Sequence, residues 1–354
     1  MIKTVVGKKQ KENSLTLQRL TVLDGTKAYA QLRSQVIQAG ILDRSYRYYM
    51  ILALFTFTGY FFCLYQLYVL QSAKELIFVA ILFVFFSIQI AGLLHDAGHR
   101  AIAKSTGMNN LLGYLFSSFI VVSFGNWLLR HNAHHADPNG VDDPDVDIPV
   151  LSFTKERFLA KKGIERFLAK YQVYLFFPLL TFGSIAQRIG DLKFLISQKL
   201  RKKYKRQTII FLVGFFLWFI LPFIIFPLPK ALLLFFVINF VSGFYIANIF
   251  APNHKGMPQV KKGTKISFME QQIMTSRNIN RHFLTDFFYI GLNYQIEHHL
   301  FPNCPRNKLH KITPYVLAFC RKLRLEYTSV SIIESNKIIL GELKEIAATA
   351  KTTQ

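Results

Sequence analysis

Seven of the ten histidines fall in three clusters: His95-Asp-Ala-Gly-His99, His131-Asn-Ala-His134-His135 and Gln295-Ile-Glu-His298-His299. On a helix the spacings i, i+4 and i, i+3, i+4 put the side chains of a cluster on one face, about 5–6 Å apart at Cβ. That is close enough for their nitrogens to share a metal ion. Seven imidazoles exceed the four ligands of one tetrahedral zinc, so the count argues for two metals. Hydrogen-bonded structural histidines are the plain alternative. A given three-histidine pattern arises by chance only about 0.008 times in a chain of this composition, so metal ligation is the reading carried forward.

Nitrogen-rich ligand sets suit iron, zinc, copper or nickel. A closed structural zinc would leave several of these histidines unused. Hydrolytic metal pairs usually bring bridging carboxylates, and the sequence contains no His-Glu-x-x-His, no Glu-x-x-His, no Gly-x-Ser-x-Gly and no glycine-rich phosphate loop. What remains is a redox-active pair of irons that activates O₂ against an unactivated C–H bond.

Such a site must be positioned, and the composition says by what. Half of the 354 residues are apolar, 35 of them Phe, and mean hydropathy is positive, as in an integral membrane protein. Four apolar runs, 46–70, 76–94, 208–226 and 231–252, each approach the roughly 20 residues that cross a bilayer. They form two hairpins turned at 71–75 and 227–230, and the first return run ends at His95, the second just before His254. The expected fold is therefore all-α, with four transmembrane helices in two hairpins and a helical cap, 95–206 with 253–325, that carries the histidines. The stretch 108–124 is short for a span and reads as re-entrant or interfacial. Over 26–38, Tyr29, Leu32 and Val36 make a helical stripe ended by Gly40, which suits a membrane-surface helix or a cap helix within the N-terminal segment 1–45. Residues 326–354 read as a C-terminal tail.

The net charge of +23 would suggest nucleic acid if it stood alone. Here the apolar runs partition it. Of 43 Lys and Arg, only Lys74 and Lys230 fall in the two hairpin turns, so the positive-inside rule places both termini and every histidine cluster in the cytoplasm. The basic run 199–206 reads as an anchor to anionic lipid. Cys63, Cys304 and Cys320 form no disulfide or metal pattern. No early apolar signal segment is apparent. The loop 137–147 holds five of the twenty acids; ordinary turn chemistry accounts for its composition, while a carboxylate there, such as Asp145, would orient a ligating imidazole. Asp96, inside the first cluster, is a second candidate.

The three boxes together resemble those of the integral-membrane fatty acid desaturases, HxxxH, HxxHH and (H/Q)xxHH. The resemblance extends to Asp143-Pro-Asp145, Thr275-Ser-Arg-Asn-Ile279 and the run from Gly291 to Pro302, and covers roughly residues 30–325. The glutamine of the third box is similar to the front-end branch and its bacterial relatives. The resemblance implies a non-haem di-iron centre that uses O₂ and two electrons to place a cis double bond in an acyl chain carried by a lipid or by CoA. By position it implies His95, His135, His254 and His299 on one iron and His99, His131, His134 and His298 on the other. Gln295 would be a ligand or hydrogen-bond a ligand, and Asn248 or Asn253 would hold a water. His282 and His310 are expected at the surface.

Many front-end members carry a fused cytochrome b5 with a His-Pro-Gly-Gly motif. This sequence has none, so the electron donor is expected to be separate, ferredoxin with its reductase or free cytochrome b5, drawn to the basic face. Two alternatives use the same residues: hydroxylation of an alkane, sphingoid base or carotenoid, and a non-catalytic metal carrier. A transit path needs polar groups at membrane depth, whereas these histidines stand at the ends of the spans.

Overall fold

The structure is a computed structural model, and it describes residues 21–146, 148, 150–197 and 204–348. The basic stretches 1–20 and 199–203, Asp147 and the end of the tail lie outside the described residues. Among the described residues, four helices are long and apolar enough to cross a membrane: α2 (Tyr46–Val69), α3 (Ala73–Gly98), α10 (Lys205–Ile225) and α11 (Leu228–His254). α3 begins three residues earlier than the apolar run, behind Ser72 at its N-cap, and carries on through the first histidine box. Within α10, Phe216–Ile220 widens to a π turn. Pro222 has no N–H for the Trp218 carbonyl, and its ring crowds that carbonyl, which opens the turn before it.

Two bent helix pairs lie among the spans. α4 (Thr106–Ile120) and α5 (Phe124–Ala136) meet at 110°, and α8 (Gln172–Leu180) and α9 (Gly183–Ile196) at 71°. Val121 takes a left-handed conformation at the first bend, and Ser123 caps α5 by accepting from the Asn126 N–H. The α4–α5 pair thus has the bend of either a re-entrant element or a broken span. At the second bend Thr181 and Leu180 press on α11 at Gly243, where a Cβ would sit 2.3 Å from the Thr181 carbonyl oxygen. Gly243→Val is therefore expected to cost about 1–3 kcal/mol by overpacking. A lowered apparent melting temperature in detergent checks this; an unchanged one contradicts it.

A second core lies beyond the ends of the spans. α1 (Val22–Gln38) buries Ala28, Leu32 and Val36 against α12 (Phe268–Met274), α14 (Gln295–Leu300) and α15 (Leu309–Leu323). Its stripe therefore faces protein, which corrects the membrane-surface reading in favour of the cap helix. Gly40 follows α1 with φ +64°, a conformation that glycine adopts without strain. The segment read as a tail is packed as well. Strand β1 (Asn278–Ile279) pairs in parallel with β2 (Ser329–Val330). α16 (Ile332–Ala348) then buries Ile339 and Leu343 in a cluster with Phe176, Leu151 and Phe153.

Candidate metal centre

The helix ends bring the boxes together. α3 delivers His95 in its last turn and His99 at its C-cap, after which Arg100 (φ 59°) turns the chain away. α5 carries His131, His134 and His135, α11 ends at His254, and the short, wholly buried α14 presents His298 and His299. Ligand atoms of His95, His99, His131 and His298 lie within 4.8 Å of one another, as do those of His134, His254 and His299. His99 and His131 approach to 2.8 Å between Nε2 atoms, and His134 and His254 to 3.3 Å. His135 stands between the groups: its Nε2 is 3.2 Å from that of His131 and 3.1 Å from that of His298, and its ring stacks on His299. This grouping differs from the partition implied by resemblance: His95 stands with His99, His131 and His298, and His134 with His254 and His299.

The residues fit a pair of metals. Nitrogens sharing a metal at about 2.0–2.1 Å lie roughly 3 Å apart, close to the spacing seen here. The Nε2 atoms of His95 and His299 are buried without a protein partner, as atoms awaiting a ligand bond would be. The other ring nitrogen of each is held from outside. His95 Nδ1 meets Asp96 at 3.3 Å, His134 Nδ1 meets Asp143 at 2.9 Å, His254 Nδ1 donates to the Thr275 carbonyl at 3.0 Å, and His299 Nδ1 to Gln272 Oε1 at 2.7 Å. Fixing one nitrogen in this way sets the tautomer and aims the other at the metal.

The supporting groups are themselves tied down. Asp96 accepts from Tyr49 (2.8 Å) and Arg306 (2.6 Å), and Arg306 fits because Gly92 leaves room; a Cβ there would meet its guanidinium at 2.7 Å. Asp143 accepts from the Asn139 and Asp145 N–H groups at 2.8 and 2.9 Å. Burial alone would raise its pKa, but the hydrogen bond and charge of His134, with those two N–H groups, hold it below the usual carboxylate range. Asp145 is half exposed, paired with Arg130, and 3.9 Å from His134, so the orienting carboxylate of the acidic loop is Asp143. Arg277 is fully buried and donates to the Pro252 and Lys255 carbonyls on either side of His254, fixing the end of α11. Glu297, also fully buried, accepts from Asn278 and from Tyr327 beyond the boxes, which locks α14.

Gln295 stands at the edge of the second group. Asn253 donates to the Ile249 and Leu292 carbonyls and to Gln295 Oε1, each at 3.0 Å. The Gln295 amide lies 2.8 Å from His254 Nε2, the nitrogen left for a metal because Nδ1 is bonded to the Thr275 carbonyl. Asn248 donates to the Phe244 carbonyl of its own helix. His282 is exposed and caps a short helix, and His310 is half-buried beside Tyr294.

Sequence reasoning missed Trp127, which stacks on His131 at 4.5 Å, together with Gln272, Arg306 and Tyr49. None carries a spacing signal. Arg277 and Asn278 lie in the Thr275–Ile279 motif, which was legible as a resemblance but not as a role.

Burial and the neighbouring imidazoles hold His298 and His299 well below the usual 6.5, so both are neutral and ready to bind metal near pH 7. As pH falls below about 6.5 the unfolded chain binds more protons than the folded one. Stability of the metal-free protein should therefore be level above that pH and decline below it. Thermal denaturation of chelator-treated protein between about pH 8 and pH 5 checks this. A melting temperature that rises on acidification contradicts it.

One large cavity, of about 1230 Å³, opens beside the first histidine group. His95, Trp127 and His131 line one end, and its mostly apolar wall follows the spans to Tyr68 and Phe226 by the hairpin turns.

The comparisons with known proteins agree with this architecture. A family model described as fatty acid desaturase matches residues 73–331. An acyl-lipid (9-3)-desaturase of Physcomitrium patens is 33% identical over 74% of this chain and 51% of its own length. A delta(8)-fatty-acid desaturase of Euglena gracilis is 33% identical over 91% of this chain and 79% of its own. A delta 8-(E)-sphingolipid desaturase of Lachancea kluyveri is 27% identical over 92% and 61%. The chain thus spans about half the length of the moss relative and more of the others. With the matched region running from the start of α3 through the last box to β2, the chain belongs to the fatty acid desaturase family.

Proposed function

We propose that this chain is a membrane desaturase that introduces a cis double bond into the acyl chain of a lipid. The observation that carries the reading is the meeting of two histidine groups with the end of a long apolar cavity, whose wall includes His95 and His131. His95, His99, His131 and His298, with His135 at their edge, would hold one iron, and His134, His254 and His299 the other. Two irons bound there supply the chemistry that amino-acid side chains lack, accepting two electrons and using O₂ to remove two hydrogens from neighbouring methylenes.

The protein's own part is placement. The apolar cavity wall offers a methylene chain a surface to lie along, and Trp127 stacked on His131 forms part of that wall beside the ligands. Asp96, Asp143, Gln272 and the Thr275 carbonyl hold the imidazoles rigid. The names of the relatives, fatty-acid, acyl-lipid and sphingolipid desaturases, support a lipid-borne acyl chain as substrate. The distribution of Lys and Arg supports a cytoplasmic site, and the basic face there suits an acidic electron carrier such as ferredoxin or cytochrome b5.

Expression in a host with ferredoxin and its reductase, followed by gas chromatography–mass spectrometry of total fatty acids, tests the reading. New unsaturated chains that disappear with His134→Ala are expected. Unchanged profiles on both saturated and monounsaturated feeds, with iron loaded, would count decisively against it.

A further inference from the structure

A helix on a water-facing surface turns its polar residues outward. α13 (Phe283–Phe288), in the segment that leads to the third box, does the reverse. Phe283 is 73% exposed, Leu284 46%, Phe287 37% and Phe288 43%. The two polar side chains between them are engaged internally: Thr285 accepts from the His282 N–H at 2.8 Å, and Asp286 accepts from Asn293 Nδ2 at 2.7 Å and the Tyr294 hydroxyl at 3.0 Å. The apolar patch is continuous with the outer faces of two spans. The Phe287 ring lies 6.1 Å from that of Phe55, itself exposed on α2, and 5.5 Å from that of Phe85 on α3, and the Phe288 ring is 5.5 Å from Phe85. Hydrogen bonds to the spans set the level of the helix. The Phe287 carbonyl accepts from Gln89 of α3 at 3.1 Å, and the Phe288 carbonyl from the Tyr245 hydroxyl of α11 at 2.9 Å. Gln89 precedes His95 by six residues and Tyr245 precedes His254 by nine, helical rises of roughly 9 and 13 Å. The end of α13 thus lies beside the spans themselves, below the level of the histidines. With the Leu284 N–H donating to His282 Nδ1 at the other end, backbone groups at both ends are paired within the protein, as lipid requires.

We propose that α13 is immersed in the membrane leaflet on the histidine side, with Phe283, Leu284, Phe287 and Phe288 among lipid acyl chains. This rests on the reading of α2, α3 and α11 as membrane spans. Arg281, exposed just before the helix, stands at the level of the head groups, where a long cationic side chain keeps its charge in water. Helices that lie in the interface in this way bury their apolar face roughly 5–10 Å deep. The immersion also bears on the metal centre. Asn293 and Tyr294, both bonded to Asp286, immediately precede Gln295 and α14, so the third box is tied to an element that lipid holds in place.

A nitroxide attached to Phe283→Cys, and separately to Leu284→Cys, tests the immersion in the full chain reconstituted in phosphatidylcholine vesicles. Either position suffices if the other variant does not fold. Cys63, Cys304 and Cys320 are buried, and the unaltered chain treated alike gives the background. Spin relaxation by O₂, which partitions into lipid, is compared with relaxation by a water-soluble nickel chelate. At both positions the effect of O₂ is expected to exceed that of nickel, as it should at Leu54→Cys on the exposed face of α2. At Lys262→Cys, exposed in the loop after His254, the order should be reversed. Nickel access at Phe283 and Leu284 equal to that at Lys262 overturns the proposal. Exclusion of both reagents means that protein covers the patch and overturns it too; spectral broadening that disappears on dilution with unlabelled chain would identify that protein as a second copy. Nickel access at Leu54 itself marks a failure of the span reading, and the immersion of α13 falls with it.

Discussion

His298→Ala is expected to abolish formation of new double bonds, with a loss of at least about 100-fold. Removal of a group that merely supports a metal ligand already costs about 10–100-fold in affinity or activity, so loss of a ligand itself sets that floor. His298 belongs to the group with His95, His99 and His131, and its Nε2 lies 3.1 Å from that of His135, so one substitution opens the first site and disturbs the residue shared with the second. Iron per purified chain should fall accordingly, while circular dichroism keeps its helical signature. His310→Ala makes the control. That side chain is half-buried beside Tyr294, outside both groups, and its loss should leave iron and activity near their original levels. Full activity in the His298→Ala protein would contradict the assignment of the site.

The second large effect separates two neighbouring carboxylates. Asp143→Asn is expected to weaken metal binding by about 10–100-fold, because the amide holds His134 Nδ1 without the charge that favours its orientation and basicity. Two backbone N–H groups fix the Asp143 carboxylate against His134 at 2.9 Å, so the interaction is buried and geometrically set. Asp145→Asn should change metal binding little. Its side chain is half exposed, stands 3.9 Å from His134 and pairs with Arg130, the kind of surface ion pair that contributes little. Iron retention in the presence of a graded chelator measures both variants. Equal sensitivity of the two would contradict the division of roles.

These two predictions mark the boundary of what could be read before the structure. The box histidines were legible because helical spacing and apolar flanks leave a strong local pattern, and the four spans because lipid demands long apolar runs. His95 and His254 lie at the ends of their spans, and the fold brings the other box histidines close to them. The grouping of the ligands was not legible. Which imidazole faces which is decided by the angle between α5 and α14 and by the wide turn that ends α3, none of which a linear spacing encodes. The same holds for Asp143 over Asp145, two residues apart and chemically alike, where the loop's backbone hydrogen bonds choose. Gln272, Arg277 and Tyr327 reach the site from segments with no periodic signal, and the packing of α1 and α16 depends on partners far away in the chain. An amphipathic stripe says that a face is buried, but not whether lipid or protein covers it.

The paired histidine groups are expected to direct O₂ to remove hydrogens, and not to add oxygen. A histidine-held metal pair suits hydroxylation as well as desaturation, so the fate of the oxygen atoms is the sharpest test. Mass spectrometry of the lipid products formed under ¹⁸O₂ by cells supplying ferredoxin and its reductase reads it directly. Acyl chains lighter by two hydrogens, carrying a new double bond and no ¹⁸O, are expected. Chains that bear an ¹⁸O-labelled hydroxyl in place of the double bond would contradict it.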